Sequence, residues 1–273
     1  MAAKPVQTRQ QKHLAVLIDA DNASAAIVEG LFEEIAKYGV ASVKRIYGDW
    51  TGPQLGGWKK VLLDHSILPM QQFAYTTGKN ATDSSLIIDA MDLLYTRRFD
   101  GFCLVSSDSD FTRLAARLRE EGLEVIGFGE QKTPKPFVSA CDKFIYTELL
   151  RNDAEPAEAE VSSNGAQAIA QTPATEAKPV APPAPTKVKA QKVPVDFIAK
   201  IIDDNSDEDG WCHLAILGSN ISKLRSDFDS RLYGHKKLSD LIKAQNSRFE
   251  LQVLGTTATG GKALAVRNRK PTK

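Results

Sequence analysis

The chain has 273 residues, 42% of them apolar, and a formal net charge of +1, which allows one large domain or two smaller ones. Its three cysteines, Cys103, Cys141 and Cys212, are far apart and form no CxxC motif, so they indicate neither a disulfide framework nor a zinc site. No apolar run approaches the length of a membrane span, and we expect a cytoplasmic protein that does not associate with membranes.

The charge is distributed unevenly along the chain. Residues 1–151 carry 18 basic and 19 acidic residues, and residues 152–186 carry 1 and 5. Residues 187–273 carry 16 basic and 10 acidic residues, a net charge of +6. The C-terminal part is therefore the part that a polyanion should attract.

Short apolar runs alternate with amphipathic segments over the first half of the chain. The apolar runs predict strands at 14–19, 43–49, 67–73, 101–107 and 124–129, and the segment 143–150 closes the region. Helical periodicity predicts helices at 24–38, around 58–63, at 84–98 and at 111–121. Strands that alternate with helices imply crossover connections and a mostly parallel sheet. We therefore predict a doubly wound α/β domain over residues 12–150.

The second half of the chain begins with a change in composition. Residues 151–192 are rich in Ala, Pro, Glu and Ser and contain no aromatic residue, which predicts a flexible linker. Beyond it, helical patterns at 193–203, 221–228 and 236–245 precede a strand pair at 249–255 and 262–268. This pattern predicts a small winged-helix-like α+β domain over residues 193–270. The flexible linker would raise the local concentration of substrate at the first domain without fixing the geometry of the two domains.

Acidic residues follow the carboxyl ends of several predicted strands. Asp19 ends the first strand, Asp108 and Asp110 follow the fourth, and Asp83 begins the helix after the third. In an open parallel sheet these ends line one crevice. Carboxylates gathered there repel one another unless a divalent cation lies among them, and oxygen ligands alone favour Mg²⁺ or Mn²⁺. Such an ion suits phosphodiester hydrolysis.

Each acid taken alone has a simpler interpretation. A single Asp after a strand is usually a helix N-cap, which would account for Asp83 or Asp108. Asp89 lies one to two helical turns beyond Asp83, and it either reaches the site or is satisfied elsewhere.

Three segments of the first domain resemble the NYN family, a PIN-like nuclease group that includes the LabA-like proteins. They are LIDADN, TGKNATDSSLIIDAMDLL and VSSDSDFTRLAARLREEGLEVIGFG. The resemblance implies a Rossmannoid parallel sheet and metal-dependent cleavage of RNA. It implies that Asp19, Asp83 and Asp108 bind the metal and that Asp110 is a further catalytic acid, which orients the attacking water or a second ion. It also implies supporting roles for Asn22, Ser106 and Ser107 and a phosphate contact for Lys79.

Two segments of the second domain, GWCHLAILGSNISKL and DFDSRLYGHKKLSDLIKAQ, resemble the LOTUS domain, also called OST-HTH. The resemblance implies binding of RNA or of a protein partner. Arg225, Arg231, Lys236 and Lys237 place repeated positive charge on short helices, which suits contacts with phosphates. Exposed lysines on a helix are, however, often simply solvated.

The sequence as a whole predicts a metal-dependent ribonuclease that acts on RNA. An RNA-binding regulatory adaptor with little or no turnover is the alternative. A phosphatase of the haloacid dehalogenase type is a further alternative, because Asp19-Ala20-Asp21 resembles its D-x-D-x-[TV] opening, although Ala23 stands where Thr or Val is required. The oligomeric state is left open, with a homodimer among the options.

Overall fold

The computed structural model describes residues 11–73, 81–151, 192–256 and 262–269. Most of the predicted linker (152–191) and the predicted phosphate contact Lys79 lie outside the described residues. No helix of the described part of the chain combines the length and the apolar character that crossing a membrane requires.

The first domain is an α/β sandwich in which strands and helices alternate. Its elements are β1 (His13–Asp19), α1 (Val28–Ile35), β2 (Val40–Gly48), α2 (Gly56–Val61), β3 (Leu68–Gln71), α3 (Ala81–Tyr95), β4 (Gly101–Val105), α4 (Thr112–Glu120), β5 (Glu124–Gly129), α5 (Lys135–Ala140) and β6 (Lys143–Tyr146). The six strands are parallel and lie in the order β3-β2-β1-β4-β5-β6. The predicted Rossmannoid parallel sheet is confirmed.

The sheet is buried on both faces, which explains why its central strands are continuous apolar runs. Along β1, Val16 and Ile18 pack with Leu31 and Trp58 on the face covered by α1 and α2. Leu17 and its neighbours on the opposite face pack against α3, α4 and α5. Because the strands run in parallel, their carboxyl ends all open at one edge of the sheet.

Several short helices and one short strand are not evident from sequence periodicity. A 3-10 turn at Ala25–Ile27, capped by the Ser24 hydroxyl, precedes α1. The helix α5 has only six residues, and a strand of two residues occurs in the second domain. Elements this short contain too few residues to show a period.

The second domain contains three helices and a small antiparallel sheet. Its elements are α6 (Val195–Asp204), β7 (Cys212–His213), α7 (Leu214–Leu224), α8 (Leu238–Ala244), β8 (Phe249–Thr256) and β9 (Lys262–Asn268), with strand order β7-β9-β8. Ile198, Leu217, Leu241 and Phe249 are fully buried in its core. The predicted small α+β domain is confirmed.

The second domain contacts the edge strand of the first. The amide of Phe144 in β6 donates to the carbonyl of Ser226 at 2.9 Å, and the hydroxyl of Ser226 donates to the carbonyl of Val138 at 2.7 Å. The Lys143 ammonium donates to the Phe228 carbonyl at 2.8 Å. These bonds cover a sheet edge that would otherwise be exposed. Contacts between the domains therefore set their relative position, which the linker alone was not expected to do.

Candidate active site

Asp19 is the last residue of β1 and is only 1% exposed. Its carboxylate accepts hydrogen bonds from the Ser106 hydroxyl at 2.7 Å, the Asn22 amide at 2.8 Å and the Asp21 backbone N–H at 3.1 Å. Burial raises the pKa of Asp19, and the hydrogen bonds from Ser106 and Asn22 offset this only in part. Asp19 thus lies at the carboxyl edge of the sheet, where Asn22 and Ser106 both donate to its carboxylate.

The segment after β4 is organised by its own hydroxyl and carboxylate groups. The Ser106 hydroxyl accepts from the backbone N–H of Asp108 at 3.0 Å, and the Asp108 carboxylate accepts from the N–H of Asp110 at 3.0 Å. Asp108 therefore caps a short 3-10 helix, as its simpler interpretation predicted. The Ser107 hydroxyl accepts from the N–H of Glu130 at 2.8 Å and ties this segment to the end of β5.

Three acidic side chains lie close together here, two of them from this segment and one from α3. Asp83, from the first turn of α3, and Asp108 and Asp110 each offer a carboxylate oxygen, and these oxygens lie within 4.8 Å of one another. The pKa of Asp83 is raised to about 6, first by burial and then by the negative charges of Asp19, Asp108, Asp110 and Asp21. We call Asp83, Asp108 and Asp110 the acid cluster.

The acid cluster fits a hard divalent cation. Its donors are all carboxylate oxygens, which Mg²⁺ and Mn²⁺ prefer. Two ligands on opposite sides of Mg²⁺ lie about 4.2 Å apart, so the observed spacing requires only small side-chain adjustments. Burial is the main cause of the raised pKa of Asp83, and a bound cation would offset the smaller contribution from the neighbouring negative charges.

The geometry distinguishes Asp19 from the other predicted metal ligands. The group of three acids includes Asp110, which was predicted as a further acid, and does not include Asp19. The Asp19 carboxylate is occupied by hydrogen bonds and reaches the cluster through Ser106, which contacts both Asp19 and the backbone of Asp108. Direct coordination of a metal by Asp19 stays a prediction.

Asp89, predicted as a supporting residue, is engaged elsewhere. Its carboxylate accepts hydrogen bonds from the Arg45 guanidinium and the Tyr47 hydroxyl, both on β2. These contacts match the second alternative for Asp89, in which its carboxylate is satisfied by hydrogen bonds away from the acid cluster.

Gly129 allows the end of β5 to pack closely against the segment after β4, a role that the sequence motifs alone did not indicate. A Cβ atom at Gly129 would lie 2.6 Å from the carbonyl oxygen of Ser106, so only glycine lets β5 approach this segment so closely. A glycine at the end of a buried strand is itself a signal of close backbone approach.

The predicted nucleic-acid contacts of the second domain fall into two groups. Lys236 and Lys237 are exposed, and Arg225 is half-buried beside Asp227 at 3.5 Å. Arg231 instead bridges the two domains, contacting Asp229 at 2.7 Å and Glu34 of α1 at 2.9 Å. Two carboxylates already hold its guanidinium, so we assign Arg231 to the domain interface and not to nucleic-acid binding.

A Rossmannoid sheet with acids at its carboxyl edge, followed by a small α+β domain, defines a class of two-domain PIN-like proteins. The model of the NYN domain matches residues 13–150, half of the chain, and that of the OST-HTH/LOTUS domain matches residues 189–259. The chain belongs to the NYN family, and both predicted resemblances are confirmed. NYN domains are typically nucleases, and OST-HTH domains bind RNA.

Two solved structures are similar to parts of the chain. A crystal structure of a protein of unknown function from Vibrio parahaemolyticus matches 52% of this chain and 96% of its own, with 18% identity and a TM-score of 0.43. A solution NMR structure of an uncharacterized protein from Nitrosomonas europaea matches 36% of this chain and 96% of its own, with 36% identity and a TM-score of 0.28. No curated protein matches the chain significantly.

Proposed function

We propose that the protein is a divalent-metal-dependent ribonuclease that hydrolyses RNA phosphodiester bonds at the acid cluster. The observation that supports this most strongly is the convergence of three carboxylates within 4.8 Å, on a domain of a nuclease family. Burial, followed by the negative charges of the neighbouring aspartates, raises the pKa of Asp83 to about 6, which supports a site where carboxylates are gathered.

Each acid has a proposed role. Asp83 and Asp108 hold Mg²⁺ or Mn²⁺, together with Asp110 or, after a small movement, Asp19. The bound cation would supply an activated water and stabilise the charge that develops on the phosphate. Asp110, the exposed member of the cluster, orients the attacking water. Asp19 positions the β4 segment through Ser106.

The second domain is proposed to hold the RNA. Lys236 and Lys237 are exposed and offer phosphate contacts, and Arg225 of the same domain offers a further one. Lys79 keeps its proposed phosphate contact, although it lies outside the described residues. Binding of a protein partner is the other use of such a surface.

A cleavage assay tests the proposal. Purified protein is incubated with single-stranded RNA, structured RNA and DNA, in Mn²⁺ or in EDTA, beside an Asp19→Asn/Asp108→Asn double variant. We expect cleavage of RNA that EDTA abolishes and that the double variant reduces by about 100-fold or more. Asp64→Asn, which changes an exposed acid after α2, is the matched control and should cleave normally.

Two outcomes would contradict the nuclease. RNA that is bound but left intact by both proteins would support the regulatory adaptor. Cleavage that persists in the double variant would place the chemistry outside these acids.

A further inference from the structure

A groove with a volume of about 960 Å³ lies between the two domains. One wall is formed by α5, β6 and the turn before α5, and the other by the C-terminal half of α7 and the residues after it. We call it the interdomain groove. It belongs neither to the acid cluster nor to the surface that carries Lys236 and Lys237.

The charge of the groove is positive. Its lining contains four basic side chains, Arg119, Lys135, Lys223 and Arg225, and two acidic ones. Arg119 pairs with Asp142 at 2.9 Å, and Arg225 lies 3.5 Å from Asp227.

The two lysines supply the excess charge. Lys135 and Lys223 are both exposed, and neither forms an ion pair with any residue in the described part of the chain. Lys135 begins α5 in the first domain, and Lys223 lies near the end of α7 in the second. An anion in the groove would therefore contact both domains.

Hydroxyl groups line the groove between these charges. Ser139 and Ser219 are exposed, one on each wall, and Ser222 is half-buried beside Lys223. Lysine ammonium groups interspersed with hydroxyl donors are the side chains that contact phosphate oxygens and ribose in nucleic-acid complexes. The chemistry of the lining thus favours a phosphodiester backbone.

The walls are held in place before any ligand binds. Ser226, which is hydrogen-bonded to Phe144 and Val138, lines the groove. Tyr146, whose hydroxyl contacts Asp227 at 3.1 Å, also lines it. A preformed site loses less entropy on binding than two domains joined only by a linker.

The groove extends to the turn after β5, the strand that neighbours β4. Its lining includes Gln131 and Thr133, in the turn that follows β5. The same turn begins at Glu130, whose N–H donates to the Ser107 hydroxyl in the segment that carries Asp108. Since β4 and β5 are adjacent strands, about 4.8 Å separates their ends.

We propose that the interdomain groove binds a single-stranded segment of the substrate RNA on its approach to the acid cluster. The inference rests on the proposed ribonuclease function for the identity of the polyanion. A volume in the range of small-ligand sites admits a few nucleotides of a single strand and is too small for a double helix. Lys135 and Lys223 contact successive phosphates from opposite walls.

Binding without cleavage tests this proposal. In the full chain carrying Asp19→Asn/Asp108→Asn, with EDTA, we would measure fluorescence anisotropy of a labelled single-stranded RNA of about 20 nucleotides. We expect Lys135→Glu/Lys223→Glu to weaken binding by about 10-fold or more and to lower the salt slope by about 1.4, the value for two phosphate contacts on a single strand. Lys135→Gln/Lys223→Gln should lose less affinity, in the same direction.

The matched control is Lys60→Glu/Lys200→Glu, which changes one exposed lysine of each domain outside the groove. It makes the same change in net charge and should bind RNA within about 2-fold of its parent. Equal losses in both double variants, no loss in the groove variant, or no RNA binding by the parent would each overturn the proposal.

The two proposals can fail separately. If the wild-type protein does not cleave RNA but the groove variant loses affinity, the nuclease is wrong and the groove stands. If the wild-type protein cleaves RNA and the groove variant binds as its parent does, the groove is wrong and the nuclease stands.

Discussion

Two groups of carboxylates in this molecule lie in opposite electrostatic environments. At the acid cluster, burial and then the charges of neighbouring aspartates raise the pKa of Asp83 to about 6. At the domain interface, burial would raise the pKa of Asp229, but hydrogen bonds and charge from Arg231 lower it. The interface acids are balanced by a cation within the chain, so their role is structural. The other acids of the cluster add to the raised pKa of Asp83, as expected of the cation site proposed above.

Removal of the interface cation is expected to have the largest effect on stability. Arg231→Ala leaves the buried Glu34 and the partly buried Asp229 without this partner, although Lys37 still contacts Glu34 at 2.7 Å. We expect a loss of about 2 kcal/mol in the free energy of unfolding. The midpoint of the first urea unfolding transition measures it.

Arg248→Ala is the matched control for this prediction. Arg248 lies 3.7 Å from Asp196, and both side chains are largely exposed. Breaking such a pair should cost no more than about 0.5 kcal/mol. Equal losses in the two variants would mean that Arg231 does not stabilise the interface.

The role of Arg231 shows what composition cannot predict. A positively charged side chain on a short helix can bind either an RNA phosphate or a carboxylate. The carboxylate that Arg231 contacts belongs to Glu34, which lies 197 residues away in the chain. Only the contact between domains distinguishes the two uses. Lys236 and Lys237, by contrast, are exposed, as expected of residues that meet a solvent-borne ligand.

The acid cluster was predictable to a greater extent. Alternating strands and helices predicted the parallel sheet, and a parallel sheet places the ends of β1 and β4 at one edge. Helix geometry alone could have predicted that Asp89 does not lie on the same face of α3 as Asp83. Six residues at 3.6 per turn place Asp89 about 240° around α3 from Asp83, on a different face. What the sequence could not predict was which acids lie together, with Asp110 and not Asp19 in the group of three, because this depends on the path of the loop after β4.

A smaller effect of opposite sign is expected at the acid cluster. Asp83→Asn removes a repelled carboxylate and should stabilise the metal-free protein at about pH 7.5 by about 1 kcal/mol, a modest value because solvent screens this partly exposed site. The pKa of Asp83 is raised from the ordinary value of 3.8 to about 6 in the folded protein, so the gain appears as the pH rises through this interval and is absent below it. Thermal unfolding in EDTA measures it.

Addition of Mn²⁺ sharpens this prediction. The cation should raise the unfolding temperature of the wild-type protein, since ligands that bind only the folded state stabilise it. It should raise that of Asp83→Asn much less, because the variant lacks one cluster oxygen. A variant that is destabilised in EDTA would show that Asp83 has a structural role like that of Asp229.

The smallest expected effect is the pH dependence of the interface, and its sign is opposite to that of the cluster. The pKa of folded Asp229 lies below the value of 3.8 for the free side chain, so its charged form stabilises the folded state. This contribution is fully present above about pH 4 and is lost as the pH falls through the folded pKa. The stability difference between the wild-type protein and Asp229→Asn should therefore be constant from about pH 7 to about pH 4.5 and shrink below it. Urea midpoints over this range measure the difference. A difference that already shrinks near pH 6 would mean that the pKa of Asp229 is raised, like that of Asp83, and not lowered.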